Sequence, residues 1–272
     1  MKQAMIFAAG LGTRLKPLTD TMPKALVRVG GQPLLWHVVM KLKAAGYERI
    51  VVNVHHFADQ IISYLQTNDN FGLDIRISDE RDGLLETGGG IKKALPLFDP
   101  SEPILIHNVD ILSNLDLSET TDLTDFSYSD HPELAKSDGS GTSVKSVESV
   151  VFVSQRQTKR YLQFDDDMRL IGWKNIATGE VKGREGRPLA FSGIHVIGPS
   201  MFPLLKVWPE RFPIMDFYLQ VCADHVIRGF VPDDLRLLDV GKLDTLEQAE
   251  VFIETNFHNR PSFIKKITDN YE

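Results

Sequence analysis

The sequence predicts an α/β fold, a mostly parallel sheet with helices on both faces, joined by a small antiparallel excursion. Three observations carry this. Short apolar runs rich in β-branched residues alternate with longer stretches of helical periodicity through the first part of the chain. Glycine, asparagine or aspartate stands at the end of several of those runs. Beyond a Ser/Thr/Asp/Gly-rich stretch, three strand-like runs follow one another without a helix between them.

The elements follow in order. Residues 4–9 (AMIFAA) read as a buried strand ended by Gly10, and 33–45 (PLLWHVVMKLKAA) as a helix ended by Gly46. Residues 49–54 (RIVVNV) read as a second buried strand and 56–66 as a second helix. Residues 73–78 (LDIRIS) alternate like a more exposed strand, and 103–107 (PILIH) form a third buried one. In such sheets ligands bind beyond the carboxyl ends of the strands, so the Gly10 loop, residues 53–55 and residues 108–110 are expected along one edge. The polar stretch 116–147 contains an expected mobile surface loop at 129–146. Strands are expected at 149–154, 160–164, 169–173 and 188–197, a helix at 217–229, a last strand in "LRLLDVG", and a helix at 245–256 capped by Asp244 with Glu247. "FIKKITDNYE" reads as a peripheral tail. One domain spanning 1–272 is expected, with a first half at 1–115, an insertion at 116–148 and a second half at 149–272.

Composition narrows the function. The chain has 272 residues, 30 basic against 37 acidic, for a formal charge of −7. It lacks the basic footprint of a nucleic-acid binder. The single cysteine, Cys222, makes no internal disulfide and reads as a small buried hydrophobe. The N-terminus lacks a signal pattern and no window is long and apolar enough for a membrane span, so the expected location is the cytoplasm, as a monomer or small homo-oligomer.

Chemistry gathers in "AAGLGTRLKPLTDTMPKAL". Gly10 and Gly12 let the backbone approach a ligand, and successive N–H groups in such a loop form an anion-binding concavity. Leu15 stands where a dinucleotide fingerprint needs glycine, and the Gly-Lys-Ser/Thr ending of a Walker A loop is missing. Arg14 brings a fork of donors suited to phosphate oxygens, and Lys24 follows the rigid Pro23. Asp110, just past the strand at 103–107, is a hard carboxylate of the kind that suits Mg²⁺ beside phosphate oxygens.

This stretch resembles the signature of the sugar nucleotidylyltransferases (NDP-sugar pyrophosphorylases), roughly A-A-G-x-G-T-R-L-x-P-L-T followed by P-K-x-L. The resemblance implies a Rossmann-like nucleotide-diphospho-sugar transferase fold. It also implies transfer of a nucleoside monophosphate from an NTP to a sugar 1-phosphate, with Mg²⁺ and release of pyrophosphate. Ala8, Ala9, Gly10, Gly12 and Thr13 would then line the triphosphate, Arg14 would hold its β/γ end, and Lys24 would bind the reacting phosphate. Asp110 would be a metal ligand, with Val109 in place of the family's usual glycine and Asn108 toward the sugar phosphate. Asp239 of "LLDVG" would complete the metal site. "LLETGGG" resembles the segment that reads the nucleobase edge, giving Glu86, Thr87 and Gly88 that role together with Asn53; three glycines are expected just before a helix. This version is most similar to the bacterial uridylyltransferases acting on N-acetylmuramate 1-phosphate, which implies UTP. On the sugar side, "LIGWKN" resembles the family's E-K-P segment through Lys174 alone, with Arg156 and Arg160 as rivals. Gly193 of "LAFSGIHVI" would allow close approach to the sugar, and Asp216 would bind its hydroxyls or cap a helix. Other readings are a guanylyl- or cytidylyltransferase with another phosphorylated acceptor, such as mannose 1-phosphate or a phosphocholine-like one, and a catalytically silent NDP-sugar-binding regulator.

Overall fold

The structure, a computed structural model, describes residues 1–118, 120–124 and 146–258. The chain begins with β1 (Lys2–Phe7), passes through a small hairpin of β2 (Arg28–Val29) and β3 (Gln32–Pro33), and enters α1 (Leu34–Ala44). β4 (Tyr47–Val54), α2 (Ala58–Thr67), β5 (Asp74–Asp79), α3 (Glu86–Ala94) and β6 (Ile104–Asn108) continue the alternation. β7 (Ile111–Ser113) follows at once. The second half runs β8 (Ser149–Ser154), β9 (Arg160–Phe164), β10 (Leu170–Asn175), β11 (Val181–Gly183) and β12 (Arg187–Ile197), then α4 (Phe202–Val207) and α5 (Ile214–Val221). It closes with β13 (Ile227–Phe230), β14 (Leu237–Asp239) and α6 (Leu246–Ile253). Apart from Ser146, the loop expected at 129–146 lies outside the described residues, and the tail at 263–272 lies wholly outside them.

The main sheet runs β11-β10-β9-β12-β6-β1-β4-β5, with β8 and β13 joined beside β12. β1 is parallel to β4 and β6, and β4 to β5. β12 is antiparallel to β6, β8 and β9, which attaches the antiparallel excursion to the parallel half. Phe7 stands opposite both Asn53 and Asn108, so three parallel strands end level with one another. The loops that leave them emerge on one edge.

Both faces of the sheet are buried, as continuous apolar strands require. Ala4, Ile6, Ile50, Val52 and Leu105 pack on one side with Leu35, Val39 and Ile61 of α1 and α2 and with Ala249 of α6. Met5, Val51, Ile104 and Ile106 alternate to the other side and meet Ile91 of α3, Leu205 of α4 and Phe217 of α5. Among the described residues no helix is long and apolar enough to cross a membrane.

Three expectations are corrected. The helix expected at 217–229 stops at Val221, and Ile227–Phe230 instead pairs parallel to β8, because the open edge of that strand outweighs local helical spacing. Gly88, Gly89 and Gly90 are within α3 rather than before it. Asp244 lies inside a short 3₁₀ turn, Leu243–Thr245, and it is the Thr245 hydroxyl that donates to the Lys242 carbonyl (2.7 Å).

Two core histidines set an acid limit. His107 on β6 and His195 on β12 are fully buried, and burial lowers each to about 3 from 6.5. His195 shares a hydrogen bond with the Tyr218 hydroxyl (2.8 Å). The unfolded chain therefore binds more protons between about pH 6.5 and pH 3, and stability is lost as pH falls through that window. Each histidine contributes about 1.4 kcal/mol per pH unit. Urea unfolding from pH 7 to pH 5 is expected to show this decline, with a slope shallower by roughly one histidine's share in His195→Gln; an unchanged slope would contradict it.

Candidate active site

A cavity of about 250 Å³ opens where β1, β4 and β6 end, lined by Phe7–Gly10, Lys24, Asn53, Glu80, Leu84, Glu86, Thr87 and Asn108–Asp110. Its floor is a hydrogen-bond chain. Asn53 Oδ1 accepts the backbone N–H of Ala8 (2.7 Å) and Ala9 (3.3 Å), and its Nδ2 donates to Glu80 Oε1 (2.8 Å). The Ala8 and Ala9 amides are thus committed to the protein, and Asn53 shapes the loop that follows β1. Among the described residues no protein acceptor takes the backbone N–H of Gly10, Leu11 or Gly12. Those amides are the ones left for an anion.

The two loop glycines differ. Gly12 has φ +65°, and a Cβ there would lie 2.8 Å from Thr19 Cγ2 and 3.1 Å from Lys24 Cβ. The buried Thr19 hydroxyl donates to the Gly12 carbonyl (2.8 Å) and ties the turn down. A Cβ on Gly10 would meet no protein atom within 4 Å, so packing does not demand its missing side chain. Thr13 opens the 3₁₀ turn Thr13–Leu15 that carries Arg14.

Charge concentrates on the other side. Lys24, buried at 8% exposure, is ion-paired with Asp110. Val109, where the family's usual residue is glycine, is buried and donates its N–H to the Phe7 carbonyl (3.2 Å). Asp239 arrives from the far end of the sequence because β14 pairs antiparallel with β7, setting Asp239 opposite Ile111. The Val240 N–H donates to the Asp110 carbonyl (2.8 Å), lacing the two acidic segments together. A Cβ on Gly241 would sit 2.6 Å from Asp239 Oδ1 and 2.7 Å from Arg14 Nη2, so carboxylate and guanidinium face the same small space. Loss of hydration and then the Asp110 charge hold the Asp239 carboxyl above its ordinary range, against the opposing pull of Lys24, Arg14 and Arg156. A carboxyl raised by lost hydration and by a neighbouring carboxylate, with cations around it, suits a divalent ion and phosphates.

At the other end, Glu86 starts α3 with φ +62° and accepts from Arg211 Nε (3.2 Å). Thr87 Oγ1 accepts the N–H of Ile214 at the start of α5 (2.9 Å). Gly88 turns away from the cavity: its N–H donates to the Phe212 carbonyl (2.8 Å), and a Cβ would lie 2.2 Å from the Phe212 ring. The close approach that its glycine permits is by this protein segment rather than by the open cavity.

The acceptor-side residues scatter. Asn108 lines the cavity, and a Cβ on Gly193 (φ +80°) would meet its side chain at 2.9 Å. Gly193 thus makes room for Asn108. Lys174 is on β10, outside the cavity lining, and is paired with Glu185 (2.8 Å). Asp216, in the first turn of α5, makes no cap bond and is paired with Lys182 (3.0 Å). Arg160 is exposed at the start of β9. Of the three rival bases, Arg156 is the one whose field reaches Asp239, and its Nη2 donates to the Phe191 carbonyl (2.8 Å). His55 Nδ1 contacts the Glu80 carbonyl (2.7 Å). Cys222 is half-buried, with burial pushing its thiol up. Sequence reasoning missed Thr19 and Glu80; Glu80 sits in the charged run "SDERDG".

The glycines generate a paired expectation. Gly12→Ala forces a strained backbone and a clash, costing about 1–3 kcal/mol in unfolding free energy. Gly10→Ala is expected to stay within about 0.5 kcal/mol of the parent. Equal losses in a thermal melt would refute the distinction.

Known proteins resemble this chain over much of its length. A family model described as Nucleotidyl transferase matches residues 3–130. The N-acetylmuramate alpha-1-phosphate uridylyltransferase of Caulobacter vibrioides is 35% identical over 236 residues, which cover 86% of this chain and 90% of that relative. The protein of the same name from Neisseria meningitidis serogroup B is 45% identical over 117 residues, covering 43% of this chain and 50% of its own. Among solved structures, the inositol-1-phosphate CTP transferase from T. maritima shares the fold with a TM-score of 0.67 at 15% identity, over 93% of this chain and 96% of that one. A relative matched at this identity along nine-tenths of its length carries the assignment: the chain belongs to the nucleotidyl transferase family and is a sugar-1-phosphate nucleotidyltransferase.

Proposed function

We propose that this enzyme transfers UMP from UTP to N-acetylmuramate 1-phosphate, giving the UDP-sugar and pyrophosphate. The observation that carries this reading is the similarity to the Caulobacter vibrioides uridylyltransferase, which extends over 86% of this chain and so includes the half expected to meet the acceptor. The cavity at the strand ends is the proposed nucleotide site, with the free amides at Gly10–Gly12 and Arg14 toward the triphosphate and Glu86 and Thr87 toward the base.

An oxygen of the acceptor phosphate attacks the α-phosphorus in line. The bond from that phosphorus to the bridging oxygen breaks, and pyrophosphate leaves with the electron pair. A phosphate monoester is already nucleophilic, so the chain need only position two polyanions and offset their repulsion. Two unit charges ~4 Å apart interact by about 4 kcal/mol at an effective dielectric of 20, and several such pairs oppose the encounter. Lys24, ion-paired with Asp110, is the basic residue in the cavity lining, and Arg14 and Arg156 act on Asp239. Asp110 and Asp239 fit a magnesium ion, being paired hard donors whose mutual repulsion a dication would relieve. When bound there, the ion supplies positive charge to phosphate oxygens. Lys174, paired with Glu185, is a weaker choice for the acceptor phosphate than Arg156.

Lys24→Ala and Asp110→Asn are each expected to lower kcat by about 10²–10³-fold, the scale of one transition-state donor, without loss of fold. Near-parental turnover in either variant removes the assignment. Substrate choice is tested by pyrophosphate release from UTP, GTP, CTP and dTTP against a panel of sugar 1-phosphates. The expected result is UTP with N-acetylmuramate 1-phosphate at the highest kcat/KM; preference for GTP with mannose 1-phosphate would replace this reading with a guanylyltransferase.

A further inference from the structure

Glu80 follows β5, in a run of charged residues, yet it is fully buried beneath the cavity. Among the described residues no basic side chain pairs with it, so its carboxylate depends on hydrogen bonds for compensation. Oε1 accepts Asn53 Nδ2 (2.8 Å) and Oε2 accepts the N–H of Leu85 at the entrance to α3 (3.2 Å). Its own N–H donates to the Val54 carbonyl (2.8 Å). Asn53 passes the contact on, since its Oδ1 accepts the amides of Ala8 and Ala9. A Cβ on Gly90 would come within 2.9 Å of Glu80 Oε1, so α3 itself is seated against this carboxylate. One unbroken chain of hydrogen bonds therefore joins the α3 entrance, at one end of the cavity, to the glycine loop at the other.

We propose that Glu80 is a positioning residue for the nucleoside triphosphate: by fixing the Asn53 side chain it sets where the glycine loop stands relative to the α3 entrance. This rests on the reading that the triphosphate occupies this cavity. The chain needs an acceptor at Glu80 on both sides and an amide at Asn53. Glu80→Gln puts an NH₂ against either Asn53 Nδ2 or the Leu85 N–H. Asn53→Asp sets a second carboxylate against the first. Making both changes restores every donor–acceptor pair with the roles exchanged: the new carboxylate accepts from the loop amides and from the new NH₂, while the new amide oxygen accepts the Leu85 N–H.

The test measures UTP binding by calorimetry without acceptor, together with steady-state kinetics and melting. Each single variant is expected to weaken UTP binding and raise its KM by tenfold or more, with a much smaller change in the acceptor's KM. The double variant is expected to return to within about threefold of the parent, even where a single variant fails to fold. Single variants that bind UTP like the parent overturn the proposal, and so does a double variant no better than the weaker single. A parent chain that binds no nucleoside triphosphate at all overturns instead the reading of the cavity on which this one rests.

Discussion

Everything at the active edge depends on the level ending of three parallel strands. Phe7, Asn53 and Asn108 stand side by side, and the loops that carry Gly10, His55 and Asp110 leave from the same height. The register is held by both faces at once. Met5, Val51 and Ile106 are buried on one side, while Ala4, Ile50 and Leu105 are buried on the other. A slip of one residue would exchange the two sets between helix layers of different shape. Packing far from the chemistry thus determines where the chemistry can be.

On that edge the charged groups form a compensated cluster. Lys24 answers Asp110, and Arg14 and Arg156 bear on Asp239, yet Asp239 still holds its proton more tightly than a free carboxyl. Lost hydration, more than the neighbouring acid, holds that proton, and at the loop the N–H groups of Gly10, Leu11 and Gly12 have no protein acceptor among the described residues. Under the proposed function these are the groups that a metal-complexed nucleotide would meet.

Much of this was legible beforehand because it depends on local pattern. The strands at Ile50–Val54 and Ile104–His107 announced themselves as continuous apolar runs, and the glycine loop with Arg14 and Lys24 as a dense motif. What escaped depends on partners distant in sequence. The segment after Val221 has helical spacing, but β8 offers it a strand partner. The glycines of α3 looked like a ligand surface, while Phe212, Glu210 and Glu80 occupy the space they leave. The ion pair of Lys174 with Glu185 and the reach of Arg156 to Asp239 likewise join residues that no local pattern links. Glu80 carried no signal, because nothing in its neighbours betrays complete burial.

The pairing of β14 with β7 has a consequence for synthesis on the ribosome. The proposed nucleotide cavity is lined by residues from the first part of the chain, but Asp239 is translated long after Asp110 and docks only when β14 finds its partner. Every residue that lines the pocket is therefore translated before the second acid. Until that contact closes, the growing polypeptide lacks the carboxylate that the proposed metal site takes from the far end of the sequence.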